Sequence, residues 1–313
     1  MKILLFGRGV ITSQYGWALE QAGHTVEFYV RPGRAAHFGP TLTLDLLDAR
    51  AKSSGVRVAQ PWPIRLREDL PGDHDYELIV LSVPHYQFSE AATFLAPKVG
   101  NATVLVFNNF WQEPQQAASA LPAGQLAWGF PQAGGSITAK GELVGALFNK
   151  VHFGTFGTVP TAREVVVREL FRHSGFTLEE HADFRGWLWL HFAIITGFYA
   201  QALAGGAVAQ VMTSPTQGKA AVRHIQELLR VVAARGVNMS NNASESFLYR
   251  LPPWLASLAL RALLKISPPF KAAFAGPIAV AEAKSCCVEV LAEARRLHIS
   301  VPRLEAAKRV FER

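Results

Sequence analysis

The sequence Lys2-Ile3-Leu4-Leu5-Phe6-Gly7-Arg8-Gly9-Val10-Ile11-Thr12 opens the chain and decides its fold. Residues 2–6 form an apolar run of strand length, residues 13–22 are predicted to be helical, and residues 25–30 form a second β-rich run. A strand, a glycine turn, a helix and a strand within about thirty residues form the βαβ unit that a dinucleotide-binding fingerprint requires. The alternative is a structural glycine turn that binds no ligand.

The glycine turn predicts where a dinucleotide would bind. Gly7 permits the tight turn, and Gly9 has no side chain to keep a pyrophosphate away from the N–H groups at the helix start. Because that position usually serves close helix–strand packing, Thr12 in place of the third glycine predicts slightly altered packing rather than a lost site. The expected cofactor contacts in this stretch are Gly7, Arg8, Gly9, Val10, Ile11 and Thr12.

The end of the second strand indicates which nucleotide is bound. NAD sites usually carry Asp or Glu there for the ribose hydroxyls, whereas an arginine accommodates a 2′-phosphate. This chain has Arg31, with Arg34 close behind, and no acidic residue competes for the position. A guanidinium binds phosphate in a bidentate way. The sequence therefore predicts NADP, the alternative being two solvated loop arginines.

Strands alternating with helices after the opening unit predict a parallel, doubly wound sheet. Its buried strands are expected at residues 76–83 and 103–107, and the later part of the chain has an almost entirely helical pattern. The predicted fold is an α/β Rossmann-like doubly wound sheet followed by an all-helical C-terminal domain. We expect an NADP-binding domain at residues 1–180 and a helical substrate or dimerisation domain at residues 181–313.

Other segments of the N-terminal half have weaker patterns. Short elements are expected at residues 42–51 and 56–58, a helix at residues 112–121 and a turn at residues 133–135. Asn108 ends one of the buried strands, where ligands of such sheets bind, so a cofactor or substrate role and ordinary strand-end turn chemistry are both open.

Composition excludes several classes of protein. Half of the residues are hydrophobic and 18% are charged, which excludes general disorder. The net charge of +7 comes from scattered Lys and Arg, so no nucleic-acid-binding stripe is predicted. The adjacent Cys286 and Cys287 provide no disulfide framework and, with no plausible signal peptide, favour the cytoplasm. We assign no metal site from the sequence.

An uncharged stretch at residues 192–212 requires a choice between membrane and core. It is only moderately apolar, and nothing else in the chain resembles a membrane segment. We therefore expect a buried central helix rather than a transmembrane span, and no membrane partner.

Two titratable residues of the helical half are candidates for chemistry. His191 is the last titratable group before the uncharged stretch, and could act as a general acid or be a core histidine with one hydrogen bond. Glu282 opens an apolar helix, where it could face a polar ligand or favour the positive end of the helix dipole.

The same residues resemble those of a known family. The matching positions are Gly7 to Gly16, Leu19, Ala22-Gly23-His24, Val26, Arg31, Gln87, Asn108, Trp189 and Glu282, with Glu282 at the family's distance before Ile299-Ser300-Val301-Pro302. In these positions the chain resembles the ketopantoate reductases, which have an NADP-binding Rossmann domain followed by an all-helical domain. The resemblance is strong at the N-terminus and loose at residues 240–275.

The resemblance implies roles for individual residues. In that family NADPH gives a hydride to the ketone of a 2-oxo acid, a strand-end asparagine helps to hold the site, and a late glutamate binds the substrate. The asparagine corresponds to Asn108, which we assign to the cofactor site, and the glutamate to Glu282. The catalytic lysine falls on His191, so His191 and Glu282 are the expected catalytic residues.

Other positions depart from the family pattern. A second family lysine falls on Pro84, and two asparagines fall on Ile195 and Tyr199, which makes the expected pocket more apolar. Because the pKa values of Lys and His differ by about four units, His191 would have to donate a proton differently. Residues 251–270, rich in proline, leucine and aromatic residues, are expected to form either a lid over a bulkier substrate or part of the helical core.

The sequence thus leaves three functions open. The first is an NADPH-dependent reductase of the ketopantoate reductase type acting on a 2-oxo acid or a more apolar ketone. The second is a non-catalytic NADP-binding sensor or regulatory protein, and the third a reductase of an imine or activated alkene. For the first we expect a small-molecule carbonyl substrate, and a homodimer is compatible with the sequence.

Overall fold

The computed structural model describes residues 1–204 and 206–312 and divides the chain into two compact units. The sheet unit comprises Met1–Asn108 and Pro114–Asp183. The helical unit comprises Asn109–Glu113 together with the chain from Phe184 onward. The chain therefore passes from one unit to the other three times.

Ten strands in the part of the chain that the structure describes form one sheet in the sheet unit. They are β1 (Lys2–Phe6), β2 (Thr25–Tyr29), β3 (Thr41–Ala49), β4 (Val56–Pro63), β5 (Leu66–Arg67), β6 (Leu78–Leu81), β7 (Thr103–Phe107), β8 (Leu126–Ile137), β9 (Leu143–Gly154) and β10 (Thr177–His181). Their order is β4-β3-β9-β8-β7-β6-β1-β2-β5, and β10 pairs with β9 outside this path. The predicted Rossmann-like sheet is confirmed, with β1 between β2 and β6 in parallel register.

The expectation of a parallel sheet throughout is wrong, because β3 pairs with β4 and β8 pairs with β9 in antiparallel fashion. The turn expected at residues 133–135 is instead part of the twelve-residue strand β8. Gly135 lies against β9 so closely that a Cβ there would be 2.1 Å from the Val144 carbonyl oxygen. These glycines serve the close approach of two strands, which the sequence does not distinguish from a chain reversal.

Helix α1 (Val10–Gln21) makes its close contact with the sheet at Gly16 rather than at Thr12, the third position of the fingerprint. A Cβ on Gly16 would lie 2.3 Å from Leu5 Cδ1 and 3.3 Å from the Phe28 ring. The close helix–strand approach is therefore made one turn after Thr12. The other helices of the sheet unit are α2 (Ala35–Phe38), α3 (Phe88–Leu95), α4 (Pro114–Ala117) and α5 (Ala162–His173).

The helix expected at residues 112–121 is restricted to α4, because the preceding segment belongs to the helical unit. There the Arg235 guanidinium lies 4.5 Å from the Trp111 ring centroid and 3.4 Å from that of Trp189. Arg235 also donates to the Trp111 carbonyl at 2.6 Å and pairs with Glu293 at 3.1 Å. Burial lowers the pKa of Arg235 to about 10. This cluster fixes the segment Asn109–Glu113 onto the helices.

The helical unit is built around its first helix, α6 (Phe184–Gly205). A Cβ on Gly197 would lie 2.4 Å from Ile225 Cγ1, so α6 and the helix that carries Ile225 are in very close contact. The remaining helices are α7 (Val208–Thr213), α8 (Pro215–Ala234), α9 (Ala243–Arg250), α10 (Pro253–Ile266), α11 (Pro268–Ala273), α12 (Val280–Arg296) and α13 (Pro302–Phe311). The predicted all-helical C-terminal part is confirmed.

Helix α6 is long and apolar enough to cross a membrane, and it is the one such helix among the described residues. Within the window that meets this criterion, 67% of the residues are buried inside the protein. A single, mostly buried helix of this kind is weak evidence for a membrane span, because the core helix of a soluble protein meets the same criterion.

The proline-rich stretch at residues 251–270 forms most of α10 and α11. One face of α10 enters the core through Leu260 and Leu264, whereas Trp254 is 61% exposed. Pro253 occupies the first turn of α10, where a missing N–H leaves no helical hydrogen bond unmade.

Candidate functional site

The glycine turn between β1 and α1 combines two glycines with different requirements. Gly7 has φ +91°, a conformation that L side chains rarely adopt, and its N–H donates to the Tyr29 carbonyl at 2.9 Å. Gly9 has φ −83° and ψ 177°, which any residue can adopt. A Cβ at Gly9 would meet only Thr12 Oγ1, at 3.7 Å. The fold therefore requires glycine at position 7, whereas the open space above Gly9 is the space that a closely bound ligand needs.

Thr12 closes this turn with its hydroxyl group. Thr12 Oγ1 accepts a hydrogen bond from the Gly9 N–H at 2.9 Å and donates to the Gly7 carbonyl at 2.9 Å. The Gly9 amide is thus engaged by the protein. The next two N–H groups, of Val10 and Ile11, belong to the first helical turn, have no partner within the helix, and suit an anion.

Two arginines meet over one aromatic ring beside the turn. The Arg8 guanidinium lies 4.8 Å and the Arg34 guanidinium 5.1 Å from the centroid of Phe38, on α2. Burial lowers the pKa of Arg8, and its Nε is buried without a hydrogen-bond partner. Arg31 is exposed just beyond β2. The sequence did not indicate Phe38, because nothing in its neighbourhood distinguishes it from an ordinary apolar residue.

An acidic residue does lie at this loop, contrary to the expectation from the sequence. Glu68, directly after β5, accepts a hydrogen bond from the Ala35 N–H at 2.6 Å. Further hydrogen bonds from the backbone of Gly33 and Arg34 help hold the pKa of Glu68 below its usual range. The carboxylate thus fixes the loop that carries the arginines. Glu68 could not be predicted from the sequence, because it is far from this loop along the chain and comes near it only through the pairing of β5 with β2.

Asn108 forms a clamp between two strand ends. Its side-chain oxygen accepts from the Val83 N–H at 3.0 Å, and its Nδ2 donates to the Val83 carbonyl at 2.6 Å. The residue is 4% exposed. Pro84, where the resemblance puts a second lysine, begins the turn that follows Val83. Asn108 therefore determines where β6 and β7 end, at the same edge of the sheet as Gly7.

Helix α6 has one accessible stripe. Between Trp187 and Ala200 every residue is buried except His191, Ile195 and Tyr199, which are partly exposed. Residues four apart lie on one face of a helix, so these three form a continuous line that we call the α6 stripe. They are the three positions at which the resemblance implies the catalytic lysine and the two asparagines.

His191 lies in an apolar environment on this stripe. Its ring stacks on that of Trp187 with centroids 5.3 Å apart and an interplanar angle of 18°. Burial lowers the pKa of His191 to about 4. At neutral pH the imidazole is therefore uncharged, and it can donate or accept a hydrogen bond but provides no fixed positive charge.

Glu282 lies in the first turn of α12, near the other end of the stripe. Burial raises the pKa of Tyr199 well above its usual value, and the charge of Glu282 raises it further. The same two causes, in the same order, raise the pKa of Cys286. Tyr199 is thus a neutral phenol close to a carboxylate, whereas burial lowers the pKa of His191.

The predicted site residues fall into two groups. Gly7 to Thr12, Arg31 and Asn108 belong to the sheet unit, and His191 and Glu282 belong to the helical unit. The sheet unit contains the glycine turn with its helix-start amides and arginines, and the helical unit contains the partly exposed α6 stripe and the Glu282 carboxylate.

The βαβ unit with its glycine turn and the helical second unit have the arrangement found in two-domain nucleotide-binding oxidoreductases. Residues 3–157 match the model of the PanE/ApbA ketopantoate reductases. By this match, over the N-terminal half, the chain belongs to the ketopantoate reductase family. No curated protein sequence matches it significantly.

Solved structures with the same fold cover both units. A ketopantoate reductase of the PanE/ApbA family from Ralstonia eutropha JMP134 has 17% identity and a TM-score of 0.68, over 100% of this chain and 97% of that one. A D-mandelate dehydrogenase with NADH and anilino(oxo)acetate has 12% identity and a TM-score of 0.71, over 100% and 97%. A dimeric ketopantoate reductase from Staphylococcus aureus has 13% identity and a TM-score of 0.66, over 100% and 99%. At these identities the similarity shows the fold.

Proposed function

We propose that this protein is an NADPH-dependent reductase that transfers hydride to the carbonyl carbon of a 2-oxo acid carrying a bulky apolar substituent, or of a more apolar ketone. The observation that carries the proposal is the α6 stripe. Between residues 187 and 200 of α6, which are otherwise buried, three positions are partly exposed, and they correspond to the family's lysine and asparagines; here they are His191, Ile195 and Tyr199.

The sheet unit fits a dinucleotide with a 2′-phosphate. The open space at Gly9 and the amides of Val10 and Ile11 suit the pyrophosphate, with Asn108 holding the strand ends of the site in place. Arg31 and Arg34 follow β2, where the 2′-phosphate of NADP is bound in such folds, and Arg8 adds a third cation. When bound, NADPH supplies the hydride.

The helical unit provides the groups that would face a substrate. His191, neutral at neutral pH, donates a hydrogen bond to the carbonyl oxygen, which polarises the carbonyl and stabilises the charge that develops on the oxygen. The proton that completes the hydroxyl group then comes from water rather than from an imidazolium. Glu282 and Tyr199 bind polar groups at the other end of the stripe.

The stripe also indicates the substrate class. Ile195 and Tyr199 offer apolar surface and a phenol where amides would bind a hydrophilic chain, so an aromatic or branched substituent is favoured. The D-mandelate dehydrogenase of the same fold is bound to anilino(oxo)acetate, an oxo acid derivative with an aromatic ring, which supports this choice.

The test is NADPH oxidation with a panel of ketopantoate, phenylglyoxylate, pyruvate and an uncharged aromatic ketone. We expect kcat/KM for phenylglyoxylate to exceed that for pyruvate by at least about tenfold, the effect of a few apolar groups in a pocket. Tight NADPH binding without turnover of any carbonyl substrate would contradict the proposal.

A second candidate is a non-catalytic NADP-binding sensor, and the uncharged state of His191 favours it because the stripe lacks the fixed cation of the family's lysine. His191→Ala distinguishes the two. In a reductase this variant should lose turnover by roughly 10²- to 10⁴-fold while the Kd for NADPH stays within about twofold. In a sensor there is no turnover to lose. An imine or activated alkene in the same panel tests the third possibility.

The resemblance also supports a cytoplasmic homodimer. The S. aureus reductase of the same fold is dimeric, and α6 has the burial of a soluble core helix. Sedimentation at micromolar concentration should give twice the mass of the 34.2 kDa chain; a monomeric mass there would contradict the dimer.

A further inference from the structure

A cluster of potential metal ligands lies on the β9–β10 edge of the sheet, apart from the glycine turn. His152 belongs to β9, and Glu179 and His181 belong to β10. In the parallel register of these strands Glu179 is directly opposite His152. Since side chains two residues apart on a strand point to the same face, His181 shares that face with both.

The ligand atoms of the three residues converge. His152 Nδ1 and His181 Nε2 are 3.0 Å apart, and one ligand atom from each of the three residues lies within 4.8 Å of the others. Two imidazole nitrogens bound to one tetrahedral zinc ion are separated by about 3.3 Å, given Zn–N distances near 2.0–2.1 Å. The histidine pair therefore already has nearly the spacing of a metal-bound pair, and only the Glu179 carboxylate has to move closer.

We propose that His152, Glu179 and His181 bind a divalent transition-metal ion, with Zn²⁺ as the ion that suits them best. Two imidazoles and a carboxylate are ligands that zinc accepts, and they leave one coordination position for water. Calcium and magnesium, which require sets of oxygen ligands, do not suit two imidazoles.

The position indicates what the ion does. β10 pairs with β9 alone among the described strands, so it is an edge strand held by one ladder. His152 is 5% exposed, whereas Glu179 and His181 are partly exposed, so the ion would connect a buried anchor on β9 to the edge strand. It would thus stabilise the sheet unit, independently of whether the protein is a reductase.

Lys150 allows a test in which a substitution should raise the affinity for the metal ion rather than lower it. Its Nζ pairs with Glu179 Oε2 at 2.9 Å, where it competes with a metal ion for the carboxylate and repels the ion. Lys150 is exposed, so the Lys150→Ala variant should fold normally. The variant should bind the metal ion several-fold more tightly than the unmodified protein. If Lys150 only stabilises the structure, its loss should leave the affinity for the metal ion unchanged or reduce it.

The experiment uses the full chain without a histidine tag, stripped with a chelator and titrated with Zn²⁺ by calorimetry and with Co²⁺ by visible absorption. We expect one ion per chain, the absorption bands of tetrahedral Co²⁺, and a higher unfolding temperature with Zn²⁺. His181→Asn and Glu179→Gln should weaken binding at least about tenfold. His173→Asn, at an exposed histidine on α5, is the matched control and should change nothing.

Two results would overturn the proposal. One is the absence of stoichiometric binding of either ion to the folded chain. The other is binding that is as tight in His181→Asn and Glu179→Gln as in the control. These two variants are preferred to His152→Asn because they change partly exposed residues, and circular dichroism verifies that each is folded.

Discussion

At the scale of single residues, Gly9 is a position where a substitution should change cofactor binding without changing the stability of the fold. Its backbone conformation is open to any residue, and the protein leaves the space beside it empty apart from the Thr12 hydroxyl. Gly9 precedes the first residue of α1, and serine is among the best residues at such an N-cap.

Gly9→Ser should therefore leave the free energy of unfolding within about 0.5 kcal/mol, or raise it, while NADPH binding weakens at least about tenfold. Gly7→Ser is the matched contrast, since φ +91° makes it cost about 1–3 kcal/mol in stability. Urea unfolding and NADPH fluorescence titration measure both effects. Unchanged NADPH affinity in Gly9→Ser would contradict the site.

Arg31 tests the choice of cofactor. If it binds the 2′-phosphate, Arg31→Ala should weaken NADPH at least about tenfold and leave NADH nearly unchanged, because only NADPH carries that group. The control is Arg57→Ala, which removes the same charge from an exposed strand residue paired with Asp45. Equal losses for both cofactors, or in both variants, would argue against a phosphate contact.

Residue-scale prediction from the sequence worked where local spacing carries the meaning. Gly7 and the helix-start amides are recognisable because turn, helix and strand follow one another directly. Glu68 and Phe38 were missed. Glu68 comes to the loop through strand pairing, and Phe38 through contact of its ring with the Arg8 guanidinium, and no local sequence pattern predicts either. For Thr12 the expected change in packing takes a definite form: its hydroxyl closes the turn, and Gly16 makes the close contact.

At the scale of elements, the contact between α6 and α8 depends on a single glycine. A Cβ on Gly197 would lie 2.4 Å from Ile225 Cγ1 and 3.0 Å from the Ile225 nitrogen. Relief would require α8 itself to shift, because one of the two atoms is backbone.

Gly197→Ala should therefore destabilise the protein by about 1–3 kcal/mol through overpacking, despite the better helix propensity of alanine. Gly124→Ala is the matched control, since nothing lies within 4 Å of a Cβ there. Chemical unfolding of both variants measures the difference. A Gly197→Ala variant as stable as the control would show that α6 and α8 adjust freely.

Elements with a strong local pattern were predicted closely, and those determined by tertiary contacts were not. β7 has the predicted bounds, because an apolar run defines it in the sequence. The helix expected at residues 112–121 is restricted to α4, because burial of Trp111 in the helical unit determines the path of the chain before it. The turn expected at residues 133–135 is wrong because the glycines of strand β8 resemble turn residues.

At the scale of the whole molecule, two histidines with lowered pKa values make stability depend on pH. Burial lowers the pKa of His191 to about 4, and it also lowers that of His224. The unfolded chain, in which histidine titrates near 6.5, therefore binds more protons than the folded one between these values. Stability rises with pH wherever the unfolded state binds more protons.

The free energy of unfolding should thus fall as the pH is lowered from about 6.5 to about 4. His191→Asn should reduce this fall by roughly 1–3 kcal/mol, since one pKa unit corresponds to about 1.4 kcal/mol. Urea unfolding at several pH values, with the exposed His173→Asn as control, measures it. A pH dependence unchanged in His191→Asn would exclude a lowered pKa of the imidazole at this position.

The three passages of the chain between the two units have a consequence for its synthesis. Residues 109–113 leave the ribosome while the helices that carry Trp189 and Arg235 have yet to be made. Until then Trp111 has neither the Arg235 guanidinium nor the Phe192 ring that pack against it in the finished protein. The nascent sheet unit therefore carries an exposed tryptophan near the middle of its sequence, an apolar site at which a chaperone can bind until α6 and α8 emerge.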